Sequence, residues 1–277
     1  MRGASRTAVL VAALRARATS REDPICVDPW AKWWCGAEGE AMAERTLEFF
    51  PPAELWIALR TTFLDGFLRR RLKEGVDQVV ILGAGLDTRA VRLQAPDVRF
   101  FEVDHPDTQE AKIEGLNALG DYPVEAATYV SCDFTHQAPV EQLIAAGMDP
   151  NRPTAVLWEG VVPYLDRGAV VATLTQLQTG LHGESVVAFD LVNKALVEGR
   201  SSMSSDEQLV GMVDEVGEPF RYGVNDPMPL LVESGYRHVR TLSFDEICLE
   251  VTGSYERERA FRFQSVVLAS RTRRLNF

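Results

Sequence analysis

Val79-Val80-Ile81-Leu82-Gly83-Ala84-Gly85 decides the fold. Four consecutive apolar residues, three of them β-branched, run straight into a glycine-rich turn. A short continuous apolar run bounded in this way reads as a parallel strand buried on both faces. The glycines after it permit a tight turn and let a ligand approach the backbone closely. A helical segment near Thr88–Leu93 follows.

The same rhythm repeats downstream. Val98–Asp104, Ala127–Val130, Ala155–Trp158 and Ser185–Asp190 read as strands, with helices around Thr108–Leu119 and Arg167–Gln178 between them. Strands alternating with helices predict an α/β fold, a doubly wound and mostly parallel sheet. Tyr236–Leu242 and Phe261–Ala269 complete it as two further strands on a short connection, one of them expected to run antiparallel at the sheet edge. Upstream, residues 5–75 read as helical, with helices at Ser5–Arg17 and Ala53–Leu72. Trp30, Trp33 and Trp34 anchor that region on the core or wall a pocket. The expected organisation is one domain over 1–277: an N-terminal helical cap (1–75), a cofactor-binding core (76–195), a helical lid insertion (196–226, including Ser201-Ser202-Met203-Ser204-Ser205) and C-terminal strands (227–277).

Composition narrows the function classes. The 277 residues are 46% hydrophobic and 25% charged, which is ordinary for a globular chain. Twenty-nine Lys and Arg against 40 Asp and Glu leave a formal net charge of −11. Such a surface repels phosphate backbones, so nucleic acid is not an expected partner. No apolar run approaches the ~20 residues of a membrane span. Cys26, Cys35, Cys132 and Cys248 form neither a C-x-x-C pair nor a zinc ligand set, so no metal is expected and a reducing, cytoplasmic setting fits. Residues 1–21 hold five arginines and no acid. That pattern suits a mitochondrial transit peptide or a first amphipathic helix of the folded domain.

In open parallel sheets, ligands bind beyond the carboxyl ends of the strands. The residues there are Gly83-Ala84-Gly85 after the first strand, Asp104 after the second, Asp133-Phe134 after the third and Glu159-Gly160 after the fourth. An acid about 20 residues past the glycines can accept from both ribose hydroxyls. Asp104 fits, and Glu102 on the same strand face is the second candidate. This much suits NAD or S-adenosylmethionine. A dinucleotide fingerprint wants a third glycine where Thr88 stands, and it gives Asp133 no role. At Asp133 an acid can accept from an adenine amino group while the next N–H donates to a ring nitrogen.

Three stretches together resemble the leucine carboxyl methyltransferase superfamily, nearest its bacterial polyketide O-methyltransferase branch. They are Val79–Arg89, Phe101-Glu102-Val103-Asp104-His105-Pro106 and Glu159-Gly160-Val161-Val162-Pro163-Tyr164-Leu165. The resemblance extends to Arg15-Ala16, Asp28-Pro29-Trp30-Ala31, Ala58–Asp65 and Ser234-Gly235-Tyr236. It implies a class I methyltransferase, a Rossmann-like seven-stranded fold that uses S-adenosylmethionine. It also implies that the N-terminal helix lies inside the fold. By resemblance, Arg60 binds the methionine carboxylate and Gly83, Ala84 and Gly85 pass under the methionine. Asp104 holds the ribose, Asp133 and Phe134 the adenine, Glu159 lies near the amino group and Tyr164 stands beside the active site. Pro163 and Phe134 depart from the residues usual in the family.

Methyl transfer to an oxygen needs a nucleophile. A carboxylate needs no base, whereas a phenol or alcohol usually does. His105 is the histidine nearest the expected cofactor, and no dedicated base is evident. The missing base favours a carboxyl or acidic hydroxyl, and the resemblance implies that it belongs to a small aromatic or polyketide-like molecule. The alternatives are a protein C-terminal carboxylate and an NAD-dependent oxidoreductase.

Overall fold

The computed structural model describes residues 5–201, 204–215, 217–254 and 262–275. Three helices lead: α1 (Arg6–Thr19), α2 (Ala31–Phe49, kinked at Gly36) and α3 (Ala53–Lys73). The core follows as β1 (Gln78–Leu82), α4 (Arg89–Arg92), β2 (Arg99–Asp104), α5 (Pro106–Leu119), β3 (Ala127–Ser131), α6 (Pro139–Ala145), β4 (Thr154–Trp158), α7 (Arg167–Gly180) and β5 (Val186–Val192). Then come α8 (Lys194–Val197), α9 (Ser204–Glu215), α10 (Met228–Glu233), β6 (His238–Ser243), α11 (Phe244–Thr252) and β7 (Gln264–Ser270).

The sheet has seven strands in the order β3-β2-β1-β4-β5-β7-β6. The first five are parallel, and β7 runs antiparallel to both β5 and β6. Alternation on β1 explains the two layers. Val79 and Ile81 face one apolar cluster, built with α1, α2, α3 and α11, while Val80 and Leu82 face the other, built with α6, α7 and α10. Every residue of β1, β4 and β5 is buried, as strands covered on both faces require.

Two expectations change. The antiparallel strand does not lie at the edge: β7 sits between β5 and β6, and β6 is the edge strand. The connection between them is not short, because the amphipathic segment Phe244–Thr252 forms α11, closed at its start by a Ser243–Glu246 capping box. The expected strand start at Phe261, like Ser202 and Met203 of the lid, lies outside the described residues.

The N-terminal helix is part of the core. Ser5 caps α1 by accepting from Ala8 N at 3.2 Å, and Leu10, Ala13 and Leu14 are buried. The three tryptophans divide: Trp34 is buried, Trp30 packs edge-on against Tyr122, and Trp33 remains 38% exposed.

Candidate active site

The strand order reverses between β1 and β4, and a cavity of about 450 Å³ opens there at the carboxyl edge. A crevice at this switch point is where doubly wound sheets hold ligands. Its wall includes Gly83, Ala84, Gly85, Asp104, Asp133, Phe134, Glu159, Arg60, Tyr164 and His105, so the cavity brings together every expected site residue except the second ribose candidate. Glu102 does not line it. Its carboxylate is buried against the Lys112 ammonium behind the strand.

The floor is a backbone turn. Gly83 N and Ala84 N both donate to Val103 O, at 2.7 and 3.1 Å. Gly83 has φ +63°, and a Cβ there would come within 2.3 Å of Val161 Cγ2. Gly85, at φ +45°, lies with its Cα face against Ala8 of α1. Neither a side chain nor an ordinary backbone conformation fits at Gly83.

Asp104 ends β2 with both oxygens engaged by backbone. Oδ2 accepts from Gly85 N at 2.5 Å and Oδ1 from His105 N at 2.7 Å. Burial pushes its carboxyl above the usual aspartate range, and the two amide bonds offset only part of that. His105 is the N-cap of α5, its Nδ1 accepting from Asp107 N at 3.3 Å, and its side chain is 50% exposed. Asp133 Oδ1 accepts from Thr135 N and Thr135 Oγ1, and these bonds hold its carboxyl below the usual range. The Phe134 ring packs against Trp158.

Below the cavity runs a chain of buried charges that the sequence reading did not assemble. Arg60 donates from Nε to Glu159 Oε1 at 2.7 Å, and its Nη1 lies 3.6 Å from Asp190 Oδ2. The guanidinium also stacks 5.1 Å from the Trp56 ring centre. Glu159 Oε2 lies 2.8 Å from Arg89 Nη1, and Arg89 Nε reaches Asp65 Oδ1 at 2.6 Å. Asp65 also pairs with Arg92. Asp190, fully buried within β5, accepts from Gly160 N at 2.6 Å and from the Gln264 amide of β7. Burial opposes ionisation of Glu159, but Arg89 and Arg60 outweigh it and hold the carboxyl below its ordinary value. Arg15 is committed elsewhere, to Asp28 at 2.9 Å and Leu86 O at 2.8 Å.

Asp28, Asp65 and Arg89 stood inside the recognised motifs without a role. Asp190 closed the fifth strand as read from the sequence and was given no role; in the structure β5 continues to Val192.

Part of the expected lid closes the other side. After α9, the stretch from Gly217 to Arg221 lines the cavity. Phe220 packs 5.3 Å from the Tyr164 ring, and Glu218 accepts from Ser5 Oγ at 2.9 Å, from Arg6 N at 3.1 Å and from Thr7 Oγ1. Burial, with the Glu218 charge added, pushes the Tyr164 hydroxyl far above the usual phenol range.

Residues 8–178 match the leucine carboxyl methyltransferase family. A protein of Mycobacterium marinum, provisionally named an S-adenosyl-L-methionine-dependent methyltransferase, is 33% identical over 256 residues, covering 83% of this chain and 79% of that protein. A second M. marinum protein of the same name is 39% identical over 181 residues, 59% of this chain. That match spans only 56% of the relative's length, and a match to a Mycolicibacterium paratuberculosis relative spans 61%. A Thermobifida fusca structure, provisionally named a methyltransferase, superposes with a TM-score of 0.64 at 14% identity over 95% of this chain and 93% of that one. It shares the fold.

Proposed function

The chain belongs to the leucine carboxyl methyltransferase family, and on that premise we propose that it methylates an oxygen: the carboxyl or acidic hydroxyl of a small aromatic or polyketide-like molecule. Its fold is the seven-stranded class I methyltransferase fold, and its cofactor is S-adenosylmethionine. One observation carries the reading. Four successive parallel strands deliver Gly83 and Gly85, Asp104, Asp133 and Glu159 to a single cavity that Arg60 also lines.

The residues fit the cofactor. The bare backbone of Gly83 and Gly85 leaves room for a ligand chain against the turn. Asp104 is an acceptor for ribose hydroxyls, already oriented by two amides. Asp133 and Phe134 N would take the adenine edge. Arg60 keeps its Nη2 without an acceptor among the described residues, available for the methionine carboxylate, while Glu159 faces the amino group. When bound, S-adenosylmethionine supplies an electrophilic methyl on a sulfonium sulfur.

The chain's own part is to orient the acceptor and exclude water. Holding the acceptor oxygen about 3 Å from the methyl can contribute several kcal/mol. Tyr164, kept protonated by burial, can donate a hydrogen bond but cannot remove a proton. His105 is spent on capping α5. Neither is set up as a base, which favours an acceptor that arrives ionised.

Calorimetry is the test. S-adenosylmethionine and S-adenosylhomocysteine should bind and NAD should not. Tight NAD binding without S-adenosylhomocysteine binding would overturn the cofactor, and a product methylated on nitrogen or carbon would overturn the O-transfer.

A further inference from the structure

Every charged side chain lining the cavity has a hydrogen-bonding or ionic partner among the described residues except one. Arg15, Arg60, Asp87 and Glu159 are ion-paired. Asp104 is held by amides, Asp133 by Thr135 and Glu218 by Ser5, Thr7 and Arg6 N. Arg221 lines the same cavity, and its guanidinium meets no carboxylate within 4 Å among the described residues.

Its backbone is nonetheless fixed, while its side chain is exposed. Arg221 N and Tyr222 N both donate to Pro163 O, at 2.7 and 3.1 Å. The preceding Phe220 packs on Tyr164. The stretch is therefore clamped to the loop after β4, beside the expected acceptor, with a cation on its cavity side. Arginine stays charged at any working pH and presents a planar fork of donors matched to a carboxylate. Glu218, three residues before, does not neutralise it, because its oxygens are turned to the start of α1. Among the cations lining the cavity Arg221 is the one that no described carboxylate neutralises, and so the one left to draw an anion to that wall.

We propose that Arg221 is a specificity residue that recognises a carboxylate on the acceptor. The proposal rests on the methyltransferase reading for the identity of the cavity, and it narrows the acceptor to an aromatic or polyketide-like acid. The pairing leaves the acceptor ionised, so no proton has to be found a place within the site.

The test uses the full chain saturated with S-adenosylhomocysteine. Pairs of probes matched in shape and differing in charge are titrated calorimetrically: benzoate with benzamide, salicylate with salicylamide, 2-naphthoate with 2-naphthamide. At least one acid should bind about tenfold tighter than its amide. Arg221→Gln should bring the two within about twofold, and Arg221→Lys, which keeps the charge but not the fork, should retain part of the preference. S-adenosylhomocysteine affinity, measured first on each variant, reports that the fold is intact. Equal affinity within every pair, no binding by any acid, or a preference that survives Arg221→Gln would overturn the proposal. Failure of the wild type to bind S-adenosylhomocysteine would instead overturn the methyltransferase reading.

Discussion

The Gly85 amide donates to the Asp104 carboxylate across 2.5 Å, tying the turn after β1 to the end of β2. One acid thus organises the floor of the site as well as facing the cavity. Asp104→Asn retains the shape and loses the charge. It should lower S-adenosylhomocysteine affinity by roughly 1.5–3 kcal/mol, the range for hydrogen bonds to a charged group. Because Asp104 is held above the usual aspartate range, wild-type affinity should begin to fall with acidification at a higher pH than an ordinary aspartate would set. Glu102→Gln, away from the cavity, should alter thermal stability and leave affinity alone. Calorimetry and melting curves on both variants check this.

Arg60→Lys tests the methionine end. Glu159 keeps Arg89 as a partner, so the charge chain below survives while the guanidinium fork is lost. Binding of S-adenosylhomocysteine should weaken, and binding of methylthioadenosine, which lacks the carboxylate, should hardly change. Equal weakening of both ligands would make Arg60 structural.

Gly83→Ala attacks the turn itself. The new methyl would adopt a left-handed backbone and collide with Val161 Cγ2. A destabilisation of roughly 2 kcal/mol or more is expected, read as a lowered denaturation midpoint, with cofactor affinity falling as Val161 is displaced.

Asp87 governs part of the acid limit. Burial opposes its ionisation, but Arg89, Arg92, Lys112 and Arg15 bring its carboxyl down to about 2. Its unfolded value is about 3.9. A depressed folded value contributes stability that is present above the unfolded value and lost as pH falls toward the folded one. Asp87→Asn should therefore be less stable at neutral pH, on the order of 2 kcal/mol, and should lose stability less steeply between about pH 4 and 2. An acid titration followed by circular dichroism resolves the two slopes.

The chemical step separates acceptor types. With a carboxylate acceptor, single-turnover rates should stay flat between about pH 6 and 8, since such a group ionises near 4. His105→Asn retains a helix-capping side chain and removes the imidazole, so it should leave that rate unchanged. A rate that climbs with pH and collapses in this variant would point to a phenol and a histidine base.

The parallel core was readable because its signals are local: apolar runs of β-branched residues ending in Gly83, Asp104, Asp133 and Glu159. What escaped depends on partners distant in the chain. Asp190 acquires its role only when Arg60 of α3, Gly160 and Gln264 of β7 converge on it. Phe244–Thr252 was passed over because strand signals on both sides suggested a short connection, whereas a helix intervenes. Arg221 gave no pattern at all, since its neighbours in space, Pro163 and Tyr164, lie far back in the sequence.

The placement of β7 sets an order of assembly during synthesis. β5 leaves the ribosome some 70 residues before the strand that covers its outer edge, and β6 must wait for the same strand because it pairs with no other. Until residues 264–270 emerge, a strand edge that is apolar apart from Asp190 stands open to other nascent chains. A chain interrupted before β7 would retain the whole strand set of the cofactor cavity and still be a strong candidate for aggregation, so chaperone dependence should concentrate in that last interval of translation.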